Sequence, residues 1–510
     1  MDADILIIGS GAGGGTLARA LADTGLRILI LERGDFLPRE WGNWDPEVVF
    51  RKHRYHSQEQ WRDGEGKPFS PVLGYHVGGN TKFYGAAVLR RRLKDFEQRE
   101  HKDGPTRAWP ITYRDLARFY DQAEQWYFAH GKAGADPTEP PRGEYPFPPI
   151  PHEPAVAEVE QALRDLGYHP FPLPLAIHRL ADDPGNSPCV LCPTCDGFPC
   201  LLHAKGDAEI CGVRPALAMG NVELLTQHRV TRLHCSPDGR RVTSVETAQG
   251  EFHARVVVLA AGAINSAALL LHSLSERYPS GLANHSDQVG RNYMAHLNSA
   301  CMALKPGKLN RTVFQKTLAL NDFYEDSGDP AYPYPLGHIQ SLGKVTPAVL
   351  HAERPTLPIP ASAWAASHST DWWLTTEDLP RPENRVTLDP DGSIRLHWRP
   401  KNQESHHRLC QKWKTLLHQA GFFAVFFQPM DISATAHQVG TCRFGQDPHE
   451  NVLDPFCKAH DLDNLYVVDG SFMPSISAVN PSLTIMANAL RVAEHLRQRF
   501  AEGSVAGEDT

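Results

Sequence analysis

Asp4-Ile5-Leu6-Ile7-Ile8-Gly9-Ser10-Gly11-Ala12-Gly13-Gly14 sets an unbroken apolar run against a glycine-rich turn. Thr16 to Ala22 follow with helical apolar spacing and good helix formers, so the opening of the chain reads strand, turn, helix. Gly9, Gly11 and Gly14 fit G-x-G-x-x-G. The first glycine allows the tight turn, the second lets a pyrophosphate reach the backbone, and the third lets the helix pack on the strand. A second apolar run, Arg27 to Leu31, ends in Glu32, at the distance from Gly9 where such folds place a ribose-binding carboxylate. The adjoining Arg33 is counted with the cofactor side. An acid at that point disfavours a 2′-phosphate, so NADP fits worst, while FAD and NAD both remain open. A third buried-looking strand, Val256 to Leu259, runs through Ala260, Ala261 and Gly262 into a small-residue helix start and is expected to close over the same cofactor. The expected fold class is α/β, a Rossmann-like dinucleotide-binding domain, α+β over the whole chain.

At 510 residues the chain outgrows one hydrophobic core, and a prior of roughly 150 residues per domain suggests about two or three domains. With 51 Lys and Arg against 59 Asp and Glu it is mildly acidic and has no basic run suited to tracking phosphates, which sets nucleic acid aside. The first strand begins within three residues of Met1, leaving no room for an export signal. The longest apolar stretch, Val256 to Leu271, is broken by Gly262, Asn265 and Ser266 and falls short of the ~20 residues of a spanning helix. A cytoplasmic protein with no membrane span is the expectation.

Further along, Val77-Gly78-Gly79-Asn80-Thr81-Lys82-Phe83-Tyr84-Gly85-Ala86-Ala87, with Arg90-Arg91-Arg92 and Asp95-Phe96, resembles the flavin-contacting signature of the glucose-methanol-choline (GMC) oxidoreductases. The C-terminal third resembles the same family through His437-Gln438-Val439-Gly440-Thr441, Asn464 to Ser471, and Asn480-Pro481-Ser482-Leu483-Thr484. The layout is closest to the branch of pyranose oxidases and glucoside and sugar dehydrogenases. The resemblance implies FAD rather than NAD, with amides of Gly79, Asn80 and Thr81 meeting the flavin and Asp469 and Gly470 near the ribityl chain. It also matches Val222 to Thr226 and Val230 to the family strand whose backbone meets adenine, where a plain sheet strand is an equal reading. The pyranose oxidases carry a flavin-linking His just before an aromatic in the Gly-Gly segment. Lys82-Phe83-Tyr84 offers none, so noncovalent FAD is expected.

Oxidation of a carbinol by a flavin sends hydride from carbon to N5 while a base takes the hydroxyl proton. A neutral imidazole suits that base, and His437 stands at the family position for it. Asn480 would hydrogen-bond the substrate oxygen and fix its direction. Pro481 reads as the first residue of a helix whose positive end would face the pyrimidine side of the flavin. The implied substrate is a sugar, glycoside or polyol. Lipid or aromatic alcohols, or a non-redox flavin lyase on the same scaffold, are the alternatives, and the electron acceptor (oxygen, a quinone or a redox protein) stays open.

Cys189, Cys192, Cys195 and Cys200 form C-x2-C-x2-C-x4-C, with Cys211 beyond. Clustered soft ligands suit Zn or an iron–sulfur cluster; one or two disulfides, or free thiols, are the other readings. Lys205 and Asp207 mark the return to the FAD domain or a solvated pair. The FAD-binding domain is expected over 1–97, 205–300 and 432–502. A discontinuous, sheet-rich substrate domain, including the cysteine insertion 189–200, is expected over 98–204 and 301–431. Asp391-Gly392 signals a hairpin within Glu383 to Trp398, offered as part of a sheet roofing the flavin, with Trp364, Trp372, Trp373, Phe426 and Gln428 as lining candidates. The proline-rich stretch Pro137 to Pro151 reads as a surface excursion or a homo-oligomer arm.

Overall fold

Two β-sheets of opposite character organise the computed structural model, which describes residues 2–434 and 437–505. The first is parallel and five-stranded, in the order Val222–Leu225, Ile28–Leu31, Ala3–Ile8, Ala254–Leu259, Leu465–Val467. The three inner strands are apolar almost throughout because both faces are covered, with helix Ala12–Leu21 and the antiparallel strand Val242–Thr247 among the elements packed on them, which is why the sequence shows continuous runs rather than alternation. Helix Ala12–Leu21 packs between the sheet and the long C-terminal helix Ser482–Ala501. The Rossmann-type reading of the first 32 residues therefore holds, and the strand at Val256 lies beside the first strand, Ile5 opposite Val256.

The second sheet is antiparallel and six-stranded, in the order Ala424–Pro429, Leu297–Leu304, Ser369–Thr376, His338–Ser341, Leu318–Leu320, Phe171–Pro172. One face is apolar: Cys301, Ala303, Trp372, Leu374 and Ile339 pack under helix Gln403–Gln419 through Leu409, Trp413 and Leu416. Strand alternation gives the opposite face Asn298, Trp373, Gln340 and His338.

The hairpin at Asp391-Gly392 forms, with strands Arg385–Leu388 and Ile394–His397. It does not join this sheet, however. Its second strand pairs with Trp61–Asp63 in a separate four-stranded sheet, where Arg62 also reaches Asp389 at 2.8 Å. Among the described residues no helix is long and apolar enough to cross a membrane.

Candidate active site

Three glycine loops converge at the carboxyl ends of the parallel strands. Gly9 has φ +100, and a Cβ there would stand 2.5 Å from the carbonyl oxygen of Ala260. At Gly14 a Cβ would lie 2.0 Å from the Gly9 oxygen, so helix and strand meet at a distance only glycine permits. Gly11 is different. Its nearest neighbour is Gly79 Cα at 3.9 Å, and nothing lies within 4 Å of a Cβ built on Gly262. Gly11 and Gly262 thus leave bare backbone beside open space, while Gly79 presses on Gly11, where a Cβ on Gly79 would stand 3.0 Å from the Gly11 Cα. No side chain caps helix Ala12–Leu21 and its first turn holds no acid, so its unpaired N–H groups and positive end are left for an anion. A dinucleotide pyrophosphate fits this cradle.

Glu32 is buried, accepting from the Ser10 amide at 3.0 Å and hydroxyl at 2.7 Å through one oxygen and from the Gly34 amide at 3.0 Å through the other. The chain returns past it at His228, whose amide donates to the Glu32 carbonyl, two residues before Val230 opens strand Val230–Cys235. Arg33 is not free for a cofactor: its guanidinium pairs with Glu59 and lies 3.6 Å over the Tyr75 ring. The side chains of Asn80 and Thr81 hold their own segment, Asn80 accepting from the Gly74 amide and Thr81 from the Ala208 amide, which leaves backbone as the face toward a ligand. Ala261 donates its amide to the Ser266 hydroxyl. Asp469 spends one oxygen on Gly262 N and Ser266 and the other on Ser471, so the carboxylate ties two loops together. Burial pushes its pKa up, opposed by those bonds. Pro481 stands one residue before the C-terminal helix rather than at its first position, and no side chain caps that helix either.

A Cβ on Gly470 would lie 2.5 Å from the Gln438 carbonyl, so strand Gln438–Val439 presses on the Asp469 loop and delivers His437 beside it. Asn480, from the loop before the C-terminal helix, brings its Nδ2 to 3.5 Å from His437 Nε2. The two candidates separated in sequence therefore share one site. Burial, with the Lys316 ammonium nearby, pulls the His437 pKa down to about 4.

His296 was outside the sequence-based site, although it ends the stretch Arg291-Asn292-Tyr293-Met294-Ala295-His296. Its Nδ1 lies 2.8 Å from His437 Nδ1 and its Nε2 lies 2.7 Å from the Ser477 carbonyl oxygen. The only sequence signal was a polar residue abutting the buried strand Leu297–Leu304. Its partner is set by strand pairing, which one sequence does not disclose.

The cysteine loop is held in place by charged side chains around it. All ten cysteines stand as free thiols, and among the described residues no group of three or more His, Cys, Asp or Glu is arranged to hold a metal ion. Burial pushes Cys189 up to about 11 and Cys195 up to about 12, keeping both as neutral thiols. The loop is instead anchored by charge. Asp196 accepts from Lys316 Nζ at 2.5 Å and from the Gly343 amide at 2.8 Å. Lys205 Nζ caps the Cys195 and Phe198 carbonyls at 2.8 Å each. Lys205 and Asp207 are thus not a solvated pair: both are buried, and Asp207 binds Lys82 at 2.9 Å, with Glu209 on the same ammonium at 2.6 Å. A Cβ on Gly85 would collide with Lys316 Nζ and Asp196 Oδ1, so this ion pair rests on the backbone of the Gly78 to Ala87 segment.

Of the proposed lining residues, Trp372 lies in the core, 4.7 Å from Trp413 between ring centroids. Trp364 and Phe426 are exposed, and Gln428 bonds Arg354 at the surface. Trp373 alone sits on the polar sheet face, in register with Gln340.

The family model described as GMC oxidoreductase matches the chain in two parts, residues 3–298 and 380–489. The chain is 32% identical to 6'''-hydroxyparomomycin C oxidase of Streptomyces lividus, covering 99% of this chain and 93% of that protein. It is 33% identical to paromamine 6'-oxidase of Streptomyces fradiae, covering 96% and 90%. Among solved structures, pyridoxine 4-oxidase from "Mesorbium loti" superimposes with a TM-score of 0.68 at 20% identity over 97% of this chain and 99% of that one.

Proposed function

The chain belongs to the GMC oxidoreductase family, whose cofactor is FAD, and from that premise we propose that it oxidises a hydroxyl of a sugar, glycoside or polyol to a carbonyl. His437 is the general base and Asn480 the group that orients the substrate oxygen. The observation that carries this reading is the approach of His437 Nε2 and Asn480 Nδ2 to 3.5 Å. A substrate oxygen about 2.8 Å from each closes a triangle of ordinary hydrogen-bond lengths. The relatives named for hydroxyparomomycin C and paromamine favour a hydroxyl on an amino sugar or its glycoside. The polar sheet face with Trp373, Gln340 and Asn298 suits such a ring.

FAD, held noncovalently by the Gly9, Gly79 and Gly262 loops and Glu32, supplies the hydride acceptor. Everything else falls to the chain. Neutral His437 accepts the hydroxyl proton at Nε2, while the Asn480 amide donates to the same oxygen and stabilises negative charge on it as the carbon–hydrogen bond breaks. Lys316, paired with Asp196 over Gly85, opposes a resting proton on His437. The two sheets are the cores of an FAD-binding and a substrate-binding unit.

Anaerobic mixing of the FAD-loaded protein with a panel of sugars, amino-sugar glycosides and polyols tests the reading. At least one should bleach the flavin absorbance and yield a carbonyl product. Asn480→Ala should slow bleaching about 10²-fold with FAD still bound. Bleaching only by aromatic or lipid alcohols, or product formation without flavin reduction, contradicts it.

A further inference from the structure

The two histidines meet because two short strands pair. Met294 lies opposite Val439 and Ala295 opposite Gln438 in an antiparallel register, and the next pair in that register is His296 and His437. Their rings stand edge to face, centroids 4.9 Å apart and planes at 87°. Nδ1 faces Nδ1 at 2.8 Å, which requires one proton between the two nitrogens.

Which nitrogen carries it follows from the far side of His296. The Ser477 carbonyl, 2.7 Å from His296 Nε2, can only accept, so that nitrogen bears hydrogen. A neutral imidazole has one N–H, so His296 Nδ1 is a bare lone pair. The proton in the gap then belongs to His437 Nδ1, and His437 Nε2 is left bare, pointing at Asn480 Nδ2. The Ser477 carbonyl is itself fixed. Ser477 has φ +57, an uncommon backbone state for a residue with a side chain, and its amide donates to the buried Glu377 carboxylate at 2.6 Å.

We propose that His296 is a positioning residue which, held by the Ser477 carbonyl, locks His437 in the Nδ1–H tautomer and so presents Nε2 as the base. This rests on the reading of His437 as the base. Bound FAD would take the hydride of the carbinol carbon, and the carbinol oxygen gives its proton to His437 Nε2. The resulting imidazolium keeps its Nδ1–H on His296, whose lone pair stabilises it. Charged and titratable groups facing the pair are Arg91 and His338 toward His296 and Lys316 toward His437. All can only oppose extra protons, and burial holds His296 well below the ordinary histidine range, so the relay carries a single proton in the gap at neutral pH.

Two variants and one spectrum test this. His296→Leu removes the acceptor; His296→Asn places an amide oxygen near the position of Nδ1 and restores it. The limiting rate of anaerobic flavin reduction should fall about 10²-fold in His296→Leu, with half-saturation within about threefold of wild type, and recover to within about tenfold in His296→Asn. Independently, ¹⁵N-histidine spectra of the FAD-loaded protein, with the His437 signals assigned by their loss in His437→Ala, should show Nδ1–H at His437 in wild type and Nε2–H in His296→Leu. A wild-type spectrum with Nε2–H at His437, or a His296→Leu variant that reduces flavin at the wild-type rate, overturns the proposal. Should His296→Leu not fold, the wild-type spectrum and the Asn variant still decide. An unimpaired His437→Ala would instead overturn the base assignment on which the proposal stands.

Discussion

Burial at His437 pulls its imidazole down to about 4, and the sign of that shift sets the pH behaviour of the reaction. The neutral form is the base, so activity is lost as pH falls through the site's own value rather than through the ordinary value of about 6.5. The rate of flavin reduction is predicted to stay flat from pH 8 to about pH 5 and to fall on a limb near 4, read by anaerobic stopped flow in buffers spanning that range. A limb near 6.5 would mean that His437 is solvated and titrates as an ordinary imidazole. At this scale the sequence showed its catalytic candidates clearly, because His437 and Asn480 sit in short segments whose residue order carries a family resemblance. His296 was hidden for a physical reason: nothing local distinguishes it from any histidine at a strand end, and its importance arises only when Ala295 takes Gln438 as its partner. Arg33 misled for the converse reason, since its neighbour Glu32 belongs to the cradle while its own charge is taken by Glu59, brought in from a later segment.

Among the elements, the strand–turn–helix at the N-terminus is the most local and therefore the most legible. Its glycines give a sharp contrast. Gly14→Ala would push a methyl to 2.0 Å from the Gly9 carbonyl oxygen and should cost roughly 1–3 kcal/mol or abolish FAD retention. Gly143→Ala, with nothing within 4 Å of the new methyl, should leave both unchanged. Thermal unfolding and bound flavin per chain measure the pair. The cysteine loop was legible as an element, but the contacts that anchor it were not. Four closely spaced sulfurs suggested a metal, whereas the contacts that hold the loop come from Asp196, Lys205 and Lys316, which spacing does not connect. Asp196→Ala leaves the nearly buried Lys316 without its counter-charge and should destabilise the protein by about 3 kcal/mol, while Cys192→Ser should shift the unfolding midpoint little. The hairpin at Asp391-Gly392 shows the same division. Its turn was written in the chain, but its sheet partner, Trp61–Asp63, lies more than three hundred residues away.

For the molecule as a whole, several buried imidazoles share one thermodynamic consequence. His56, His406 and His437 are held near 4, His338 near 3, and His296 well below the ordinary range, all chiefly by burial. The unfolded chain takes up protons on these groups at about 6.5 and the folded chain does not. Stability is therefore full above about pH 6.5 and is lost as pH falls toward 4, by up to about 1.4 kcal/mol per pH unit for each such group. Asp378, raised to about 7 by burial, works in the opposite sense, as do Asp371, Asp469 and Glu353, but these carboxyl groups are outnumbered by ten lowered imidazoles. The urea midpoint of the FAD-loaded protein should fall markedly between pH 7.5 and pH 5, and an unchanged midpoint would show these imidazoles to be open to water. The same burial that makes the fold acid-sensitive keeps His437 neutral for its work. The most direct test of that work is the rate of anaerobic flavin reduction by a substrate alcohol in His437→Ala beside wild type. We predict a fall of about 10²-fold or more with FAD fully bound; reduction at the wild-type rate would contradict the account.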